Sequence, residues 1–220
     1  MDGIMFLDSI IQMPLMSLPV RSTFVQLDRA GILISPGSRL EKEQLKKLNS
    51  VTDIVAPNLL HCAGIKPAAE VHSQAKIWAP VRGMQAKPEI NWSKELSKDQ
   101  WPYQDQLALI LLEGMPKLNE ALFIHKKSKS LIVTDLCFNL VDSKGIGAWI
   151  ILHLFGTYRK FGVSKFMMRY AEDKALVKKS LAEIFSYDFD NIILSHGSNV
   201  IGEAKNKLLK ALQERELAPN

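Results

Sequence analysis

Three side chains able to bind a cation or move a proton stand directly after short apolar runs. His61 follows Ile-Val-Ala-Pro-Asn-Leu-Leu at 54–60, Asp135 closes Leu-Ile-Val-Thr-Asp, and His196 closes Ile-Ile-Leu-Ser-His. An apolar, β-branched run predicts a buried strand, and the polar residue at its end reaches the sheet edge, where α/β proteins place their chemistry. Two imidazoles and one carboxylate form a ligand set for zinc, iron or manganese. Each residue also has a plainer role open to it: a turn cap for the aspartate, backbone hydrogen bonds for the histidines. Asn58 can orient water or ligate weakly through its carbonyl, and Pro57-Asn58 equally suits a turn. Cys137, two residues beyond Asp135, is either a soft extra ligand or a small buried hydrophobe. Ser195 points away from His196 on a strand, so the two cannot form a dyad.

The elements that must position these residues follow from patterning. Two apolar runs at 23–35 flank Asp28-Arg29-Ala30-Gly31 and predict a hairpin. Ser38-Arg39-Leu40-Glu41 is a capping box that predicts a helix to about Asn49. A strand over 53–56, a short helix over 68–72 and a strand over 75–79 come next. Residues 82–105, with Gly83, Pro88, Trp92, Trp101 and Pro102, predict a long irregular excursion. Strands at 107–112, 121–125 and 131–134, a helix at 172–185, a strand at 191–194 and a helix at 200–215 complete the chain. His125, beside three lysines, is expected to be solvated, and His72 to close its helix on the terminal carbonyls. This succession predicts an α/β fold with helices outside a two-layer, mixed-sheet core, in one domain spanning 1–220. The stretch 140–170, rich in glycine and aromatics, predicts a helical insertion that serves as lid, dimer surface or core.

Composition narrows the function classes. The 220 residues are 47% apolar and 23% charged, enough to bury a substantial core. The net charge of +5 comes from scattered lysines without clustered arginine and aromatics, which argues against a nucleic-acid groove. Two cysteines in no spaced ligand set fit a reducing cytoplasm. Asp2 and Asp8 precede any basic residue, the wrong order for a secretory signal, and the apolar stretch 146–155 is too short to span a bilayer. Gly145-Ile146-Gly147 lacks the third glycine of a dinucleotide loop. The expectation is a soluble cytoplasmic protein with a small-molecule or protein partner and no nucleic acid or membrane, a homodimer being compatible.

The order Ile-Leu-Ile-Ser-Pro-Gly, Ile-Val-Ala-Pro-Asn-Leu-Leu-His-Cys-Ala-Gly, Leu-Ile-Val-Thr-Asp and Ile-Leu-Ser-His-Gly resembles the metallo-β-lactamase superfamily over roughly 20–215. Within it, the chain looks like a degenerate branch of unknown function. The resemblance implies an αββα sandwich of two mixed β-sheets flanked by helices, with the site at one sheet edge. The family motif His-x-His-x-Asp-His, set with its last histidine on His61, places Ala56, Asn58 and Leu60 at the other ligand positions. Ser35 stands where many members carry an early aspartate. The middle histidine is expected at 113–118, which contains none, while the bridging aspartate and final histidine match Asp135 and His196.

The resemblance therefore implies that all three first-metal ligands are gone and that three of four second-metal ligands survive. A dinuclear centre is not expected. One zinc, or iron or manganese, on His61, Asp135 and His196 is chemically feasible, since three protein ligands plus water are the usual catalytic zinc arrangement. Such a site would hydrolyse an ester, amide or phosphoester. The alternative is a metal-free, non-enzymatic binding or scaffold protein that keeps only the fold.

Overall fold

The computed structural model describes residues 2–143 and 145–219. In chain order it contains β1 (Ile4–Gln12), β2 (Ser17–Gln26), β3 (Gly31–Ile34), α1 (Lys42–Lys46), β4 (Val51–Val55), α2 (Ile65–Val71), β5 (Lys76–Ala79), α3 (Gly83–Ala86) and β6 (Lys94–Glu95). The second half adds β7 (Leu107–Leu111), β8 (Ala121–His125), β9 (Ser130–Val133), α4 (Ile146–Phe155), α5 (Lys174–Phe185), β10 (Asn191–Leu194), β11 (Val200–Ile201) and α6 (Ala204–Gln213). Two mixed sheets result, ordered β1-β2-β3-β4-β5-β6 and β11-β10-β9-β8-β7.

Side chains alternate across a strand, so a continuous apolar run feeds two different cores. In β3, Ile32 and Ile34 enter the layer between the sheets and Leu33 the layer outside. In β10, Ile193 points inward while Ile192 and Leu194 point outward. The inner core also takes Trp78, Trp101, Leu107 and Phe123. Outside the first sheet lie Leu45 of α1 and Ile65 and Ala68 of α2. Outside the second lie Val177, Leu181 and Ile184 of α5 and Leu208 and Leu212 of α6. The architecture is the αββα sandwich of two mixed sheets expected from the sequence.

The excursion 82–105 has a structural purpose. It carries Trp101 into the inner core, with its ring 5.2 Å from Trp78 and 5.5 Å from Phe123. The Trp101 indole donates to the Leu107 carbonyl at 2.7 Å, which satisfies the one polar atom that burial exposes to cost.

Local differences from expectation have identifiable causes. Helix α1 starts one turn late, at Lys42, because Glu41 and Gln44 form the capping box in place of Ser38. The intervening turn is pinned instead by Gly37 N–H, which donates to Ser22 Oγ of β2 at 2.8 Å. Val200 and Ile201 pair with β10 as β11, so the last helix begins only at Ala204. His125 is buried, not solvated, and meets Ser128 Oγ at 2.7 Å. The His72 ring contacts the Leu45 carbonyl, in α1, while its backbone N–H closes its own helix on the Ala68 carbonyl. β1, unassigned by patterning, pairs with β2 over nine positions.

Within 145–170, Ala148 and Leu152 are buried, whereas Ile146, Trp149 and Leu154 are exposed. Among the described residues, no helix is long and apolar enough to cross a membrane.

Candidate metal centre

Three loops bring the predicted residues to one edge of the sandwich. After β4, Asn58 folds its side-chain oxygen back to accept Leu60 N–H at 2.9 Å and His61 N–H at 3.0 Å. This side-chain-closed turn, favoured by Asn, aims the His61 ring at the edge. Asp135 follows β9 and His196 follows β10, which run parallel and side by side, so their ends coincide. Ser35, at the end of β3, adopts a left-handed φ of 55° and hydrogen-bonds through its amide to the Val55 carbonyl.

The functional atoms converge. His61 Nε2 lies 3.2 Å from Asp135 Oδ2, His196 Nε2 lies 3.5 Å from Asp135 Oδ1, and the two Nε2 atoms are 3.3 Å apart. Side-chain exposure is 11%, 8% and 5% for His61, Asp135 and His196, so the trio is nearly dry. Ligands about 2.05 Å from a tetrahedral zinc would be spaced about 3.3 Å apart; the two Nε2 atoms and the His61–Asp135 pair stand near that spacing, and one donor atom from each residue lies within 4.8 Å of the others. Among the described residues these three alone form a group suited to a metal.

The outer partners set the ring tautomers. His196 Nδ1 faces the Pro19 carbonyl at 3.0 Å, and a carbonyl only accepts. A proton therefore sits on Nδ1, and Nε2 is the nitrogen turned inward, the orientation metal ligation requires. Phe138 stacks on the His196 ring at 5.2 Å with planes 7° apart. His61 Nδ1 meets Ser35 Oγ at 2.7 Å. A hydroxyl donates or accepts, so Ser35 can follow either protonation state of His61.

The remaining candidates take other places. Asn58 donates to Asp135 Oδ2 at 2.7 Å and to Thr134 Oγ1 at 3.0 Å, so it touches the ligand set without joining it. Cys137 is fully buried in the outer core of the second sheet, outside the three-residue group, and burial pushes its thiol well above the ordinary range. Ala56 is buried in the core beside the helices, and Leu60 is 49% exposed on the rim. A cavity of about 230 Å³, walled by Leu18, Val20, Pro36, Leu60, His61 and His196, opens at the site. Val20 also lines a larger cleft of about 650 Å³ with Arg21, Asn139, Ser195 and Ser198.

One residue of the site was not singled out from the sequence. Glu120, completely buried, accepts from Thr134 N–H at 2.8 Å, Thr134 Oγ1 at 2.8 Å and Asp135 N–H at 3.0 Å, all on Oε1. Its other oxygen has no partner among the described residues. The rule that polar residues at the ends of apolar strands mark the edge misses it, because Glu120 precedes its strand. β8 runs antiparallel to β9, so the start of β8 lies where β9 ends.

The two buried carboxyls are driven apart. Burial pushes the Asp135 pKa up, but the charge and hydrogen bonds of His61 and His196 outweigh this and hold it well below the usual carboxylate range. For Glu120, burial and then the Asp135 charge push the pKa up to about 7, against the Thr134 hydrogen bonds. The bonding pattern agrees: one oxygen takes every donor, as the carbonyl of a neutral acid would. Folding raises the Glu120 pKa, so the native state binds more protons than the unfolded chain between about pH 4.5 and 7. Stability of the metal-free protein should therefore fall by on the order of 2 kcal/mol as pH rises across that window. Urea midpoints of chelator-treated wild type and Glu120→Gln at pH 5 and 7.5 check this. The variant should lack that part of the loss, and equal slopes in the two proteins would refute it.

No family model matches the sequence, and no curated relative matches it. Solved structures do. A metallo-β-lactamase from Pontibacter korlensis is similar at 15% identity with a TM-score of 0.66, covering 97% of this chain and 96% of that one. The metallo-β-lactamase FIM-1 from Pseudomonas aeruginosa, in its mono-zinc form, gives 14% and 0.65, covering 100% and 94%. The metal-soaked Flv1 flavodiiron core from Synechocystis sp. PCC6803 gives 14% and 0.63, covering 96% of this chain and 57% of that one. The chain has the metallo-β-lactamase fold.

Proposed function

We propose that this chain is a divergent metallo-hydrolase-like protein that holds one divalent cation, zinc or alternatively iron or manganese, on His61, Asp135 and His196. The observation that carries the proposal is the inward convergence of two Nε2 atoms, 3.3 Å apart, and one carboxylate, with a donor atom from each residue within 4.8 Å of the others. When bound, the cation supplies Lewis acidity and lowers the pKa of water toward neutrality. The chain's own residues do the rest. Pro19 orients the His196 ring, Asp135 supplies the compensating charge, and Ser35 holds the His61 ring through Nδ1. Asn58 occupies Asp135 Oδ2 with a hydrogen bond of 2.7 Å, and Ala56, Asn58 and Leu60 offer no imidazole or carboxylate for a second ion, which favours one ion over two. An ester, amide or phosphoester is the substrate class this centre suits, and the 230 Å³ cavity gives access. Two free, buried cysteines suit a reducing cytoplasm.

A second role, a non-enzymatic scaffold, has one observation in its favour. The trio already closes on itself: His61 contacts both Asp135 and His196, and Asn58 completes the carboxylate. Metal analysis of protein purified without added metal separates the two. About one equivalent is expected, and His196→Ala should weaken zinc binding by roughly 10–100-fold. Less than about a tenth of an equivalent, unchanged by the substitution, supports the scaffold and overturns the metal site.

A further inference from the structure

We infer that Glu120 is the positioning residue of this centre, holding Asp135 and His61 in their converged geometry from behind; the role of that geometry rests on the one-cation proposal above.

Two connections leave its Oε1. The first runs through backbone: Thr134 N–H and Asp135 N–H both bind the same oxygen, which fixes the bend by which the chain leaves β9 and so the direction of the Asp135 side chain. The second runs through side chains in one donor direction, Asn58 Nδ2 to Thr134 Oγ1 and Thr134 Oγ1 to Glu120 Oε1. Asn58 in turn closes the turn that presents His61 and donates to Asp135 Oδ2. Hydrogen bonds aligned in this way polarise one another in a dry interior.

Glu120 touches neither His61 nor His196 through any of these bonds, so it acts through others. Its backbone is anchored independently: the Glu120 carbonyl accepts from Leu112 N–H at 2.8 Å, and the next amide, of Ala121, donates to the Pro57 carbonyl at 2.7 Å. One buried carboxyl thereby ties the β7–β8 connection, the end of β9 and the turn before His61 into a single unit.

The test uses the metal-free protein, so that it does not depend on whether zinc binds. In wild type, imidazole ¹⁵N–¹H spectra should show the His61 Nε2–H signal protected by Asp135. Glu120→Ala should lose it, Glu120→Gln, which keeps the accepting oxygen, should retain it, and Leu208→Ala, a core truncation in α6, should retain it despite lower stability. A signal that survives Glu120→Ala, or that Leu208→Ala removes equally, overturns the positioning role. If Glu120→Ala does not fold, Thr134→Val, which cuts only the side-chain connection, decides: a weakened signal supports the role and an unchanged one overturns it. As a second readout, Glu120→Ala should lower zinc affinity by roughly 10–100-fold and Glu120→Gln by much less. Wild type that binds no zinc refutes the one-cation proposal and leaves the spectra to decide on Glu120.

Discussion

Asp135→Asn should lower zinc affinity by more than about 100-fold, the largest functional effect expected of any single change in this protein. Asp135 is the only anion in the donor set, and it faces both imidazoles from a site that is 8% exposed. In so dry a place the charge of a carboxylate is screened little, so its loss removes most of what offsets a dication. The amide cannot compensate by reorienting. If its oxygen stays toward Asn58, which donates at 2.7 Å, its NH₂ group turns to the His196 lone pair. If it flips, two NH₂ groups oppose each other. A competition titration against a chromophoric chelator measures the effect, with His196→Ala as the reference that loses a neutral ligand. An Asp135→Asn affinity within threefold of wild type would rule out Asp135 as a ligand.

Gly64→Ala should cost about 3 kcal/mol of stability and lower Tm by roughly 6–12 °C. The backbone there, φ −89° and ψ −4°, is ordinary for any residue, so the restriction is one of space alone. A Cβ on Gly64 would lie 1.9 Å from the Pro36 carbonyl oxygen and 2.8 Å from the Gly37 carbonyl carbon. Both are backbone atoms, and Gly37 is itself tied to Ser22, so no side-chain rotation relieves the clash. The segment that must move continues directly from Ser35, and the helix start that must move continues from His61. Zinc affinity should consequently fall together with stability. Gly162→Ala is the control, because its Cβ would meet only Thr157 Cγ2 at 3.8 Å and should change stability by less than about 1 kcal/mol. Thermal melts of the two variants settle the matter, and a Gly64→Ala protein as stable as the control would sink the steric account.

Much of the framework was legible along the chain. Ile-Leu-Ile, Leu-Ile-Val and Ile-Ile-Leu are short apolar runs in which alternate residues enter different cores, and such runs need no knowledge of their partners to be recognised as strands. Asp135 and His196, just beyond two of these runs, and His61, in the loop after Ile54-Val55-Ala56, were legible for the same reason, since a polar group following a buried strand is delivered to the edge. Helix starts were less secure. Ser38 and Glu41 both have capping side chains, and in the fold the box forms on Glu41 and Gln44, while the turn before it is held from β2 by Ser22 through the Gly37 amide.

Sequence alone thus determined the central apolar strands, the layered fold and the three candidate ligands, because hydrophobic alternation and strand termination are local properties, whereas β1, β6 and β11 emerged only from pairing. Tertiary structure alone decided that Ser35 lies 2.7 Å from His61, that Asn58 bridges the β4 loop to Asp135, and that Glu120 stands behind them. Those contacts join residues 26, 77 and 15 positions apart, respectively. Strand direction brings them together: an antiparallel neighbour delivers its beginning to the edge where a parallel pair delivers its ends, and no local pattern records which strands will be neighbours.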